Sequence, residues 1–88
     1  MRRAARIDEN QPEIVRELRK AGASVKPLHT VGDGCPDLLV GFRGRNYLVE
    51  VKSKGGRLTP AQIEWHAGWW GTVIVAETVE QVLEELQG

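Results

Sequence analysis

Apolar side chains recur at every second position on both sides of a short turn in the middle of the chain. Six residues share this spacing: Leu38, Val40, Phe42, Tyr47, Val49 and Val51. Since successive side chains of a strand point to opposite faces, the pattern predicts a β-hairpin with one continuous apolar face. The opposite face carries Asp37, Glu50 and Lys52.

The turn fixes the register of this hairpin. A two-residue loop of Gly44 and Arg45 is expected, which places Asp37 opposite Lys52 and diagonal to Glu50. A three-residue loop would break the continuous apolar face, so the pattern argues against it. Two carboxylates and a lysine therefore converge on one end of the predicted hairpin.

The convergence of Asp37 and Glu50 has two interpretations. In the first, these are ordinary solvent-facing charges, and Lys52 offsets the carboxylates across the strands. In the second, the carboxylates bind a hard cation through oxygen, because like charges repel unless a positive charge lies between them. Mg²⁺ is the natural partner for such a pair.

The hairpin is flanked by segments that predict three helices and two further strands. Helical patterns begin at residue 10 and end near residue 21, begin again at Pro60 behind a Thr59 N-cap, and begin a third time after Thr78. Short apolar runs predict an edge strand over residues 23–28, where Pro27 lacks a ladder donor, and a buried strand over residues 72–76. The order α-β-β-β-α-β-α predicts an α/β fold with a mixed sheet.

The second helix has apolar side chains on two arcs. One arc carries Ile63, Ala67 and Trp70, and the other carries Gln62, Trp65 and Trp69. We expect one arc to pack on the sheet and the second to meet another subunit or to roof the active site. Gln62 also has the position of a capping-box glutamine for Thr59, which is a purely structural role.

Length and composition indicate one small domain over residues 1–88, with residues 1–7 as a flexible basic tail. A net charge of zero hides a polarised chain. All 12 Lys and Arg residues and seven acids precede residue 58, a net charge of +5, and the remaining residues carry −5. This uneven distribution of charge along the chain is compatible with one basic region that binds phosphates. The sequence has no membrane span or signal-peptide core, so a cytoplasmic location is expected. One cysteine permits no internal disulfide.

A family resemblance gives the carboxylate pair a chemical context. Pro36-Asp37, twelve residues, and then Glu50-Val51-Lys52 resemble the PD-(D/E)XK nuclease signature. Together with Gly34, the run Thr59-Pro60-x-Gln62-x-x-Trp65 and Gly71, they resemble the VRR-NUC (virus-type replication-repair nuclease) family. The resemblance extends from about Glu13 to Val75, and its ordered set of motifs is more specific than the acid-lysine spacing alone.

The resemblance implies a restriction-endonuclease-like α/β core and metal-dependent hydrolysis of DNA. Asp37, Glu50 and the Val51 carbonyl would bind Mg²⁺, for which Mn²⁺ can substitute. Lys52 would act on the attacking water or the transition state, and Gln62 would approach the metal or the scissile phosphate. Glu13 aligns with a first-helix glutamate that faces the site, which is the role we favour, and the alternative is that it closes a capping box three residues after Asn10.

The expected partners are DNA and a second copy of the chain. Lys54 and Arg57 are the candidate phosphate contacts, although a solvated loop explains them almost as well. Minimal members of the family resemble Holliday junction resolvases. This resemblance implies branched DNA as the substrate and a homodimer as the active form. The expected location is the cytoplasm, or the host-cell cytoplasm if the chain is viral. Two alternatives are a catalytically idle DNA-binding module that needs a partner and a small interaction protein with decorative hairpin charges.

Overall fold

The computed structural model describes residues 8–88, which form a four-stranded sheet and three helices. The elements in chain order are α1 (Gln11–Lys20), β1 (Ser24–Pro27), β2 (Leu38–Phe42), β3 (Arg45–Val51), α2 (Pro60–Gly68), β4 (Val73–Ala76) and α3 (Val79–Gln87). The predicted fold class and element order are confirmed. The expected tail at residues 1–7 lies outside the described residues. No helix within residues 8–88 is long and apolar enough to cross a membrane.

The sheet has the strand order β1-β2-β3-β4, so β1 is an edge strand as Pro27 predicts. The β1–β2 and β2–β3 pairs are antiparallel, whereas β4 returns parallel to β3 through the α2 crossover. The predicted mixed sheet is therefore confirmed.

The core lies between one face of the sheet and the helices α1 and α3. The predicted apolar face of the hairpin supplies Leu38, Val40, Phe42, Val49 and Val51, all buried, and Tyr47 packs against them partly buried. Ile14 and Leu18 of α1 and Val82 and Leu86 of α3 complete this core. The opposite face of the sheet, which we call the open face, is covered only in part, by α2.

The hairpin register differs from the prediction by two residues. Phe42 pairs with Arg45, so the loop consists of Arg43 and Gly44. Both loop residues have positive φ, 50° and 80°, which is the requirement of a type I′ turn. A shift of two residues returns every side chain to the same face, so the apolar pattern could not distinguish the two registers. One pair before the start of β2, the observed register places Asp37 opposite Glu50, whereas the predicted register places it opposite Lys52.

The strand β4 was predicted to be buried, and this is wrong for one of its faces. Ile74 and Ala76 are buried in the core, but Val75 is 49% exposed on the open face. The reason is that β4 is the second edge strand of the sheet, and the cover that α2 gives the open face leaves Val75 half exposed. Capping boxes begin α2 at Thr59 and α3 at Thr78, as their sequences predict.

Candidate active site

Asp37 and Glu50 meet where β2 begins and β3 ends. Asp37 directly precedes β2, and Glu50 is the penultimate residue of β3. Both carboxylates are nearly excluded from solvent, with 8% and 1% of each residue exposed. The Asp37 Oδ2 atom accepts a 2.7 Å hydrogen bond from the Val51 backbone N–H, which fixes this carboxylate at the edge of β3.

Two side chains of α2 hold the Glu50 carboxyl group. Gln62 Nε2 donates to Glu50 Oε2 at 3.2 Å, and His66 Nε2 lies 3.2 Å from Glu50 Oε1. Gln62 Oε1 also accepts the Thr59 N–H at 2.9 Å. The capping role and the site role of Gln62 are therefore compatible, because the two ends of one amide perform them simultaneously.

The site brings two carboxyl groups together in a buried position, with the Lys52 charge nearby. Burial raises the pKa of Glu50 to about 9, helped by a hydrogen bond and charge repulsion from Asp37 and opposed by the Lys52 charge. Burial lowers the pKa of His66, and the Lys52 charge lowers it further. Without a cation, His66 and Glu50 are therefore joined at neutral pH by a hydrogen bond between neutral groups rather than by an ion pair.

The donor set fits a hard cation. Within residues 8–88 no group of three or more His, Cys, Asp and Glu side chains is arranged to bind a metal, so the candidate side-chain donors are the oxygens of the two carboxylates. Backbone groups of β3 alternate in direction: the N–H groups of Leu48 and Lys52 donate toward β4, whereas the Val51 N–H faces Asp37. Since the N–H and the carbonyl of one strand residue point to the same side of the strand, the Val51 carbonyl also points to the side of Asp37. Mg²⁺ commonly uses one or two carboxylates and completes its coordination with water.

The basic residues predicted for the site occupy the end of β3 and the loop after it. Lys52 is half-buried, its N–H donates to the Ala76 carbonyl at 2.9 Å, and its charge acts on both Glu50 and His66. Lys54 and Arg57 are exposed in the loop between β3 and α2. The structure thus groups Asp37, Glu50, Lys52 and Gln62, and leaves Lys54 and Arg57 accessible nearby in the chain.

The capping box considered for Glu13 does not form, because Asn10 is the N-cap residue of α1 but its side chain makes no capping hydrogen bond. Its amide instead donates to the Lys52 carbonyl at 3.0 Å and to the Glu77 carbonyl at 2.7 Å. Glu13 is exposed, and no hydrogen bond or ion pair links it to other described residues. Its catalytic role stays a prediction.

Asp8 is an acidic neighbour of the site that the sequence analysis missed. The Ser53 hydroxyl lies 3.4 Å from Asp8 Oδ1, and the Asp8 charge contributes to the raised pKa of Glu50. His66 was also missed, although it lies one helical turn after Gln62. That i, i+4 spacing on one helix face is the signal that could have identified it.

Comparisons with known proteins identify the family of this domain. A family profile described as "VRR-NUC domain" matches residues 3–68, which is most of the chain. The chain belongs to the VRR-NUC family of nuclease-type domains. A solved structure described as "VRR_NUC domain" is 29% identical and superposes with a TM-score of 0.70 over 88% of this chain and 89% of that one. Comparison with curated proteins gave no significant match.

Gly34 fixes how closely α2 approaches the site of this VRR-NUC domain. Its φ is 83°, and an added Cβ would lie 2.3 Å from the Ala61 carbonyl oxygen. We therefore expect Gly34→Ala to push the first turn of α2 away, to separate Gln62 from Glu50, and to lower the free energy of unfolding by about 2 kcal/mol. Urea denaturation would measure this loss. The matched control is Gly55→Ala, which has a similar φ of 76° but no atom within 4 Å of the added Cβ. Equal losses in both variants would contradict the steric explanation.

Proposed function

We propose that this VRR-NUC domain is a metal-dependent endonuclease that hydrolyses phosphodiester bonds in DNA. The observation that supports this most directly is a buried carboxyl, Glu50, held beside Asp37 with its pKa raised to about 9. A purely structural pair would gain nothing from this arrangement, since burial and repulsion disfavour its charged form. A cation between the two groups removes both penalties.

In this proposal Mg²⁺, or Mn²⁺ in its place, is held by Asp37, Glu50 and the Val51 carbonyl. A cation held there supplies a lowered pKa for bound water and a positive charge for the phosphoryl oxygens. The protein's own contribution is positional. Gln62 and His66 keep both oxygens of Glu50 in fixed directions, and the Val51 N–H does the same for Asp37.

Lys52 is proposed to act on the attacking water. Its ammonium either orients that water or, after losing a proton from Nζ, accepts a proton from it, and it can also stabilise charge on the pentavalent transition state. Gln62 is proposed to contact the scissile phosphate from the first turn of α2. Glu13 of α1 remains a candidate site residue. Asp8 is the further acidic residue whose charge raises the pKa of Glu50.

The proposed substrate is branched DNA such as a four-way junction. Exposed Lys54 and Arg57 would contact backbone phosphates beside the scissile bond. The basic charge precedes residue 58, and the exposed acids Glu80, Glu84 and Glu85 of α3 belong to the opposite side of the sheet. DNA is therefore expected on the open face, away from α3.

A cleavage assay tests this function. Linear, nicked, splayed and four-way DNA are incubated with the protein in Mg²⁺, Mn²⁺ or EDTA, and Lys52→Ala is run beside the wild type. The proposal expects cutting that requires the metal, is strongest on branched DNA and is lost in Lys52→Ala. Binding in EDTA without cutting in any metal would favour the idle DNA-binding module. Neither binding nor cutting would exclude both.

His66 provides a test of how Glu50 is held. His66→Ala removes the partner of Glu50 Oε1 and should weaken apparent Mg²⁺ affinity in cleavage about tenfold to hundredfold, as loss of an outer-shell partner does elsewhere. The measurement is cleavage rate against Mg²⁺ concentration. Asn, which can hydrogen-bond where Ala cannot, should recover part of the affinity. An unchanged Mg²⁺ dependence in His66→Ala would show that Glu50 needs no support from His66.

We also propose a homodimer formed through the exposed apolar side chains of α2 and of the residues that directly follow it. Ile63 of α2 is 56% exposed, and Trp69 and Trp70, just after the end of α2, are 48% and 99% exposed. Exposed large apolar side chains often mark an interface, and two sites related by two-fold symmetry suit a four-way junction.

Trp70→Glu tests the dimer. A central tryptophan typically contributes about 2 kcal/mol or more, so we expect the dimer dissociation constant to rise at least about thirtyfold. Sedimentation equilibrium would measure it, with Glu64→Gln, an exposed α2 substitution, as the control. A monomeric wild-type protein at micromolar concentration would refute the homodimer.

A further inference from the structure

Asn10 joins three separate parts of the chain at the end of β3. Its side-chain amide donates one hydrogen bond to the Lys52 carbonyl at 3.0 Å and another to the Glu77 carbonyl at 2.7 Å. Asn10 directly precedes α1, Lys52 directly follows β3 and Glu77 directly follows β4. Because an amide nitrogen carries two hydrogens, these two bonds use all of its donor capacity.

The same arrangement gives up a local contact that Asn10 could make. At the N-cap of a helix, an asparagine oxygen typically accepts a backbone N–H of the first turn and stabilises the helix. In α1 this bond is absent, and within residues 8–88 the buried Asn10 Oδ1 atom has no hydrogen-bond partner. A residue that served only the stability of α1 would be expected to cap it. The amide of Asn10 serves the end of β3 instead.

Lys52 lies where the sheet gives way to an exposed loop. Its N–H donates to the Ala76 carbonyl at 2.9 Å, and its carbonyl accepts the bond from Asn10. The next five residues, 53–57, are all exposed and include two glycines. Because glycine leaves the backbone conformationally free, this loop restrains the residue before it only weakly. The Asn10 amide therefore fixes the carbonyl side of Lys52.

A fixed main chain matters for Lys52 because its side chain is long and flexible. A lysine carries its ammonium on a stem of four carbons, so the stem itself does not define where the charge lies. Lys52 is half-buried, and its charge acts on both Glu50 and His66. Any movement of the Lys52 main chain would shift this charge relative to the site. A displacement of about 1 Å can lower a catalytic rate about a hundredfold.

We propose that Asn10 is a positioning residue for Lys52: its amide holds the Lys52 carbonyl and thereby keeps the lysine ammonium beside the attacking water. This inference rests on the proposed function, in which Lys52 acts on that water. In this role Asn10 contacts neither DNA nor the cation, and it influences the reaction through the Lys52 main chain. Its second bond, to the Glu77 carbonyl, fixes the amide itself against the junction of β4 and α3.

The test compares Asn10→Ala with a control that loses as many hydrogen bonds at the same junction. In Gln81→Ala the Glu77 and Thr78 N–H groups lose their acceptor, Gln81 Oε1, at 2.6 and 3.3 Å, but no contact of Lys52 changes. Both variants should melt about 10 °C below wild type. Three quantities are measured well below these temperatures: single-turnover cleavage of four-way DNA in Mg²⁺, DNA affinity in EDTA, and the NMR order parameter of the Lys52 backbone N–H.

We expect Asn10→Ala to cleave about tenfold to hundredfold more slowly than wild type, because the ammonium is no longer held in place. Its DNA affinity should stay the same, since Asn10 carries no charge and does not contact DNA in this proposal. The order parameter of the Lys52 N–H should fall from about 0.85, the value of rigid backbone, toward about 0.6. Gln81→Ala should match wild type in all three measurements.

A wild-type cleavage rate in Asn10→Ala, or an unchanged Lys52 order parameter, would overturn the inference and leave a positive cleavage assay untouched. An equal loss of rate in Gln81→Ala would also overturn it, because the loss would then follow stability. Absence of cleavage by wild type in any metal would overturn the inference together with the proposed function. Should Asn10→Ala not fold, Asn10→Ser should show the same loss of rate, because serine suits an N-cap but has a shorter side chain with a single donor.

Discussion

Asp37→Asn is expected to reduce metal-dependent DNA cleavage at least about 1,000-fold, which corresponds to about 4 kcal/mol of transition-state stabilisation. The Asn side chain keeps an oxygen that can accept the hydrogen bond from the Val51 N–H, which is 2.7 Å long in the wild-type protein. The end of β3 should therefore stay in place. The substitution removes one of the two negative charges that would hold the cation. Single-turnover cleavage of four-way DNA in Mg²⁺ would measure the loss.

Binding separates lost chemistry from lost folding in this variant. Asp37→Asn should bind DNA in EDTA at least as tightly as wild type, because one negative charge has been removed from the site. Glu64→Gln removes one exposed negative charge from α2 and serves as the control, with cleavage expected to remain close to wild type. Cleavage by Asp37→Asn within tenfold of the wild-type rate would mean that Asp37 does not bind the catalytic cation.

The faces of the hairpin could be predicted from the sequence, but its register could not. Alternation determines which residues point toward α1 and α3, and the burial of Leu38, Val40 and Val49 agrees with it. Register depends on which two residues adopt positive φ, and a pattern of period two is identical after a shift of two. Arginine is an unusual choice for the first position of a type I′ turn, so Arg43 gave no local signal.

The site was predictable where it depends on strand order and less so where it depends on tertiary contacts. Asp37 and Glu50 come together because the hairpin joins their strands. His66 and Asp8 reach Glu50 only through the packing of α2 and of the segment before α1, which no local pattern encodes. Asn10 illustrates the same limit: a residue with the sequence position of a helix cap instead joins the carbonyls of Lys52 and Glu77.

These contacts explain how an exposed helix can serve a buried site. None of the α2 residues is buried, so hydrophobic packing fixes it less firmly than α1 or α3. Its position depends on polar contacts from Gln62 and His66 to Glu50 and on the close approach of Gly34. The state of the Glu50 carboxyl should therefore influence the stability of the whole metal-free domain.

Glu50→Gln is expected to stabilise the metal-free protein, increasingly so as pH rises. The folded-state pKa of Glu50 is about 9 against an ordinary value of 4.5, so the folded state binds more protons than the unfolded state between these values. Stability from this group is complete below pH 4.5 and is lost progressively up to about pH 9. Gln resembles the protonated carboxyl and does not titrate. At pH 7.5, three units above the ordinary value, the variant should be more stable by up to about 4 kcal/mol.

Thermal unfolding in EDTA from pH 5 to pH 9 would measure this difference as a melting temperature about 15 °C higher for the variant at pH 7.5. At pH 5 the difference should shrink to about 1 kcal/mol or less, because Glu50 is protonated in the folded state and pH 5 is only half a unit above its ordinary pKa of 4.5. Adding Mg²⁺ at pH 7.5 should stabilise wild type and have little effect on Glu50→Gln, because cation binding displaces the proton from the carboxyl group. Glu64→Gln should show neither effect. A wild-type melting temperature that keeps a constant offset from that of Glu50→Gln across this pH range would mean that Glu50 is ionised in the metal-free protein, and that Lys52 compensates the site without a cation.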